Sequence, residues 1–212
     1  MLINKSLSEF IDQAASDEPT PGGGSVSALV GGLGTALTKM VGELSFGKKA
    51  YEELDDQVKK EFDEKFGLLE AKIDELKTIV DTDATAFDSV MLAFKLPKET
   101  DEEKKARSAA IQEGYKKALE VPKRCADLCL EVLELQDVFA HYGNVNAITD
   151  VGVGALLAYS GLEGALLNVS INLLSIKDED YRKNMEAEVE RVLSKGKEKK
   201  EELMKIVYKR LG

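Results

Sequence analysis

The most distinctive chemistry in this sequence sits at a run of three glycines. Pro21-Gly22-Gly23-Gly24-Ser25 joins a proline-containing loop to an apolar helical segment. A glycine loop feeding a helix N-terminus presents free backbone N–H groups and the positive end of the helix dipole, a combination that suits an anion. A tight turn needs the same glycines. No lysine follows at P-loop spacing and no strand pattern precedes, so neither nucleotide-binding fingerprint applies. Gly47-Lys48-Lys49 places two ammonium groups after a turn, as a solvated pair or as a clamp for a carboxylate or phosphate. Asn168 and Asn172 continue a stripe formed by Gly154, Ala158, Gly161 and Ala165. That stripe suits a packed helix–helix seam with interhelical hydrogen bonds, or a pocket wall whose amides orient a polar ligand. Asn144 and Asp150 flank the start of the same helix, where Asp150 complements the dipole. His141, the only imidazole, lies near a turn and reads as structural. Cys125 and Cys129 share a helix face and read as buried thiols.

Composition narrows what this chemistry can be. The 212 residues carry 29 basic and 39 acidic side chains, a formal charge of −10. That balance argues against nonspecific binding to nucleic acid or anionic membranes, which needs clustered Lys and Arg. Two cysteines and one histidine cannot complete a usual zinc ligand set, so no metal is expected. Met1 to Phe10 holds Asn4, Lys5 and Glu9 with no apolar run after it, so no targeting signal is read and a cytoplasmic location is expected. Val151 to Ile176 contains Glu163 as its only charge and is long enough to span a membrane. A central carboxylate costs about 2.5–3.5 kcal/mol there, so the segment reads as the buried central helix of a soluble bundle.

Helices must position these residues, because strand signals are almost absent. Ser6 and Glu9 form a capping box that starts a helix running to about Ala15. Ser25 is the predicted cap of a second helix reaching about Glu43. A charged, apolar-striped pattern from Tyr51 to Phe94 would span roughly 66 Å as one helix, against a radius of gyration of about 17 Å for a compact chain of this size. It must therefore bend or break, with Gly67 a candidate, or protrude to pair with another subunit. Thr100 and Glu103 form a second capping box and start a helix to about Leu119. Pro122 is predicted to open the next, ending near Leu135. A central helix over 147–175 and a charged one over 179–210 complete an all-α, up-and-down multi-helix bundle, one domain over 1–212.

Taken in order, these segments resemble the cyclodeaminase domain of formiminotransferase-cyclodeaminase and its methenyltetrahydrofolate cyclohydrolase relatives. The likeness rests on Pro19-Thr20-Pro21-Gly22-Gly23-Gly24-Ser25-Val26, Phe46-Gly47-Lys48-Lys49 and Asp81-Thr82-Asp83-Ala84-Thr85-Ala86-Phe87. Leu96-Pro97-Lys98, Gln112-Glu113-Gly114, Val121-Pro122, Gly143-Asn144 with Asp150, and Gly164-Ala165 with Asn168 and Asn172 continue it. The resemblance implies a dimerising helical bundle that converts 5-formimino-tetrahydrofolate to 5,10-methenyl-tetrahydrofolate and ammonia. The alternatives are hydrolysis of the methenyl ring to 10-formyl-tetrahydrofolate, or a non-catalytic helical binding or dimerisation module. No cofactor beyond the folate substrate is implied. Carried onto this chain, Asp83 or Asp150 would shuttle the proton. Gly23, Gly24 and Ser25 would meet an anionic or carbonyl part of the folate. Lys48 or Lys49 would meet a glutamate carboxylate, and Asn144, Asn168 and Asn172 would hold the pterin or the reacting nitrogens.

Overall fold

Ser6 and Thr100 start their helices as capping boxes: each hydroxyl accepts the N–H three residues on, and Glu9 or Glu103 reaches back to the cap's own N–H. The computed structural model covers residues 1–212 and contains eight α-helices and no strand. They are α1 (Leu7–Ala14), α2 (Gly23–Glu43), α3 (Lys49–Glu52), α4 (Asp56–Thr85), α5 (Asp88–Phe94), α6 (Asp101–Tyr142), α7 (Ile148–Leu173) and α8 (Glu179–Leu211). Short 3₁₀ turns lie at Leu2–Asn4 and Val145–Ala147.

The small-residue stripes explain the centre of the bundle. α2 and α7 run antiparallel with their backbones touching. A Cβ placed on Gly34 would lie 2.6 Å from the Gly154 carbonyl oxygen, and one on Gly161 would lie 2.8 Å from that of Ser27. Glycine costs about 0.8–1 kcal/mol per helical position relative to alanine, and this close approach is what offsets it. The seam also leaves room for the buried Cys129 thiol, which a Cβ on Gly31 would overlap. Around this pair, α4 packs on α2, α8 packs on α7, and α6 touches both. Phe62, Leu69, Leu76, Leu128, Phe139, Leu162 and Leu203 fill the space between them. Val145–Leu173 is long and apolar enough to cross a membrane by length and composition, yet it packs against α2, α6 and α8.

Three predicted boundaries are corrected. α2 begins at Gly23 with Gly22 as its cap, so Ser25 lies inside the first turn and caps nothing. α6 runs unbroken for 42 residues through Pro122. The ring removes the N–H that would bond the Ala118 carbonyl, a cost the helix carries while the ring itself is buried in the bundle. The long charged run starts at Asp56, passes straight through Gly67, and breaks at Ala86-Phe87. There the Ala86 N–H tightens onto the Asp83 carbonyl at 3.2 Å, and Phe87 turns edge-on to Tyr115, 5.5 Å between ring centroids.

Candidate active site

A cleft of about 530 Å³ opens where the N-terminus of α2, the end of α4, the middle of α6 and the end of α7 meet. Because α2 starts early, Ser25 is free to reach across to α4, where its hydroxyl donates to Asp83 Oδ2 at 3.2 Å. Gly24 makes that approach possible, since a Cβ there would lie 2.5 Å from Asp83 Cγ and Oδ2 and nearer still to Oδ1. Burial pushes the Asp83 carboxyl above its ordinary range, while the Ser25 hydroxyl and N–H pull it part of the way back. The N–H groups of Gly23 and Gly24, in the first turn of α2, have no acceptor within the helix.

Asn168 and Asn172, one turn apart on α7, line the same cleft. Asn168 Nδ2 donates to the Gly164 carbonyl at 2.9 Å, which holds the side chain against α2; a Cβ on Gly23 would stand 3.3 Å from that nitrogen. The small-residue stripe is therefore a packed seam for most of its length and a pocket wall at its end. Phe87, Met91, Pro122 and Ile171 supply an apolar side, and none of them stood out as a site residue in the sequence. Phe87 lies at the break between α4 and α5 with its ring 39% exposed, and its place in the Asp81–Phe87 segment was the one signal the sequence carried. Asp83 is the only charged side chain lining the cleft. Its neighbour Asp81 points elsewhere and accepts the Leu2 N–H, tying down the N-terminus.

The remaining expected residues lie elsewhere. Lys48 and Asn144 line a second cavity, of about 470 Å³, at the opposite end of α2. The 21 residues of α2 separate the two by roughly 32 Å. Lys49 lines neither cavity and pairs on the surface with Glu53 at 3.5 Å. Asp150 sits in the first turn of α7, also away from both cavities, where it complements the helix dipole. Asn144 pins the α6–α7 corner: its Nδ2 donates to the Leu44 carbonyl at 2.9 Å, and its Oδ1 accepts the Asn146 N–H at 3.0 Å. Within one chain, then, Gly23, Gly24, Ser25, Asp83, Asn168 and Asn172 come together, and Lys48, Lys49, Asn144 and Asp150 do not join them.

The second cavity has its own character. Lys48, His141 and Arg210 line it, and no Asp or Glu does. Arg210 donates to the carbonyls of Ala140 at 2.7 Å and Gly143 at 2.8 Å, and burial holds its guanidinium below the ordinary arginine range. Cys125 and Cys129 are buried in the core. The Cys125 contact and burial together push the Cys129 thiol up, as expected of inert packing thiols.

An all-helical bundle holds a lone half-buried aspartate under a glycine-capped helix. The formiminotransferase-cyclodeaminase family profile matches residues 6–191, and the chain belongs to that family. It is 42% identical over 194 residues to the methenyltetrahydrofolate cyclohydrolase of Methylorubrum extorquens, covering 92% of this chain and 91% of that one. It is 37% identical over 209 residues to the formimidoyltransferase-cyclodeaminase of Gallus gallus, covering 99% of this chain but 38% of the longer relative. The crystal structure of formiminotetrahydrofolate cyclodeaminase from Thermotoga maritima superposes with a TM-score of 0.85 at 28% identity, covering both chains completely.

Proposed function

We propose that this chain is a single-domain, cytoplasmic folate enzyme that closes 5-formimino-tetrahydrofolate to 5,10-methenyl-tetrahydrofolate and releases ammonia. The observation that carries the reading is Asp83, a carboxyl raised by burial and held by Ser25 as the only ionisable side chain lining the cleft. N10 attacks the carbon of the protonated formimino group and forms a tetrahedral carbon between N5 and N10 that bears an amino group. Asp83 takes the N10 proton and returns one to the departing nitrogen, which leaves as ammonia as the methenyl cation forms. A carboxyl with a raised pKa suits both transfers, since it holds a proton nearer neutrality than an exposed aspartate would. Asn168 and Asn172 orient the reacting nitrogens, and the Gly23 and Gly24 N–H groups receive a carbonyl or anionic part of the pterin. Phe87 and Ile171 give the flat ring an apolar surface. These are proton transfers about one carbon, so the reaction calls for no redox or metal cofactor.

The 42% identity to a cyclohydrolase across nearly its whole length supports a second reading. Water would add to the methenyl carbon of the same bound ring, with Asp83 taking one proton and delivering it to N5 while the hydroxyl proton leaves to solvent as the ring opens to 10-formyl-tetrahydrofolate. Methenyl absorbance separates the two: it rises from the formimino substrate for a deaminase and falls from the methenyl substrate for a hydrolase. In whichever direction is active, Asp83→Asn should lose at least about 10²-fold in rate, and Asp150→Asn should stay within a few-fold. A silent protein with both substrates would sink the reading and leave a binding or dimerisation module.

The protein is further proposed to act as a homodimer. Val26, Leu33 and Met40 of α2 and Leu44 just after it are exposed at spacings of seven, seven and four, and Val153, Leu156, Leu167 and Ile171 of α7 and Leu174 just after it are exposed as well. Light scattering at micromolar concentration should give twice the chain mass.

A further inference from the structure

We infer that Ser27 is a positioning residue for the reaction: its hydroxyl, seated in the notch that Gly164 leaves on α7, sets the spacing between the start of α2 and the Asn168 amide. The inference rests on the folate reading above. Three observations converge on it.

The first is where the hydroxyl lies. Ser27 is buried one turn into α2, and its Oγ donates to the Gly23 carbonyl at 2.6 Å. Thr35, Thr38 and Ser45 make the same bond to the carbonyl four residues back, so the bond alone assigns nothing. What sets Ser27 apart is the residue facing it. A Cβ on Gly164 would overlap the Ser27 Oγ, yet it would stand 3.5 Å from the Ser27 Cβ, an ordinary contact. Those two Ser27 atoms are all that α2 brings within 4 Å of that position. One oxygen atom therefore fills the room left by the missing Gly164 side chain.

The second is that Gly164 also tethers Asn168. Its carbonyl accepts from Asn168 Nδ2 at 2.9 Å. With Nδ2 spent there, Oδ1 is the free acceptor of the amide, the atom suited to a substrate N–H. The residue that receives the Ser27 hydroxyl is thus the one that holds the amide assigned to the reacting nitrogens.

The third is on the α2 side. The carbonyl that Ser27 bonds belongs to Gly23, whose Cβ position is 3.3 Å from Asn168 Nδ2. Because α2 and α7 are antiparallel, Gly23 and Asn168 stand one turn beyond Ser27 and Gly164, four residues along each helix in opposite directions. Gly23, Gly24 and Asn168 line the cleft, and Gly24 admits the Asp83 carboxyl. A change in the gap at Ser27 and Gly164 is therefore passed to the free N–H groups, the carboxyl and the amide together.

The test empties, overfills and refills the notch. Rates are read by methenyl absorbance in the active direction, beside urea midpoints. Ser27→Ala empties it, and kcat should fall about 10-fold with KM within a few-fold of wild type. Gly164→Ala overfills it and drives the start of α2 from α7, and kcat should fall at least about 10²-fold. The double variant Ser27→Ala/Gly164→Ala refills it from the α7 side, methyl against methyl at 3.5 Å, so kcat should return to within a few-fold of wild type. Gly152→Ala is the packing control. It puts a carbon 3.1 Å from Val207 near the other end of α7, and it should keep the wild-type kcat whatever it does to the urea midpoint. A wild-type kcat in Ser27→Ala, or a double variant no faster than Ser27→Ala, overturns the inference. Both comparisons stand even if Gly164→Ala alone does not fold. A Gly152→Ala loss as large as that of Gly164→Ala overturns it too, since any strain on α7 would then suffice. A wild-type chain inactive on both folates refutes the folate reading before any variant is made, which keeps the two failures distinct.

Discussion

Gly24→Ala is the sharpest single test of the cleft. The added methyl carbon would sit 2.5 Å from two atoms of the Asp83 carboxyl group. Ordinary carbon–oxygen contact needs about 3.2 Å or more, so the carboxyl must retreat by close to 1 Å or α2 must lift away from α4. A misplacement of about 1 Å at a reacting group is worth about 10²-fold in rate, and that is the loss expected in kcat/KM. Stability should barely change. Alanine is favoured over glycine in a helix by about 0.8–1 kcal/mol, and loss of the Ser25 hydrogen bond removes a similar amount. Two controls bracket the effect. At Gly23 the new carbon would meet only the Asn168 amide, at 3.3 Å, and a pivoting side chain can absorb that with less than about 10-fold loss. At Gly32 the nearest atom is Leu76 Cβ at 3.7 Å, so Gly32→Ala should keep full activity and raise stability by up to about 1 kcal/mol. The assay is methenyl absorbance for rate and urea unfolding for stability. A Gly24→Ala protein with the wild-type rate would mean that the Asp83 carboxyl does not need its observed place, and the mechanism would fall with it.

Three further outcomes follow from the same geometry. The folded-state pKa of Asp83 is raised by burial, so the wild-type protein loses stability as pH climbs from the unfolded value of the group through its folded value; Asp83→Asn removes that loss. The variant should therefore melt higher than wild type at pH 7 with the gap closing toward pH 3, and an acid-independent gap would contradict the burial argument. Pro122→Ala restores the N–H absent beneath the Ala118 carbonyl, and the urea midpoint should rise by the equivalent of about 1–3 kcal/mol; a fall would mean that carbonyl is satisfied in another way. Arg124 of α6 reaches α4 through Glu75 at 2.6 and 2.8 Å and is held from its own helix by Glu131 at 2.9 Å. Arg124→Met should cost about 1 kcal/mol at low salt and less at 1 M, and a salt-independent loss would point to packing by the arginine stem instead.

How far the sequence reaches can be judged residue by residue. Helix starts at Ser6 and Thr100 were readable because a capping box is local: all its atoms lie within four residues. Pro122 misled for the complementary reason. Local rules put proline at a helix start, whereas its burial in the interior of α6 is decided by neighbours distant in sequence. Asp83 could not be told from the other acids by spacing, since what sets it apart is Ser25, 58 residues away, and a glycine that admits it. The family resemblance brought Asp83 forward as a candidate, and the fold gives a physical reason to prefer it over Asp150. The two lysines show a different limit. The expected α2 over 25–43 already implied about 28 Å between the glycine loop and Lys48, so the two could never have met along one helix. A straight helix with binding groups at both ends leaves two arrangements: two separate sites in one chain, or one site shared by two chains lying antiparallel. The uncharged outer face of α2 favours the second, because exposed apolar side chains along it gain more from cover by another chain than from water.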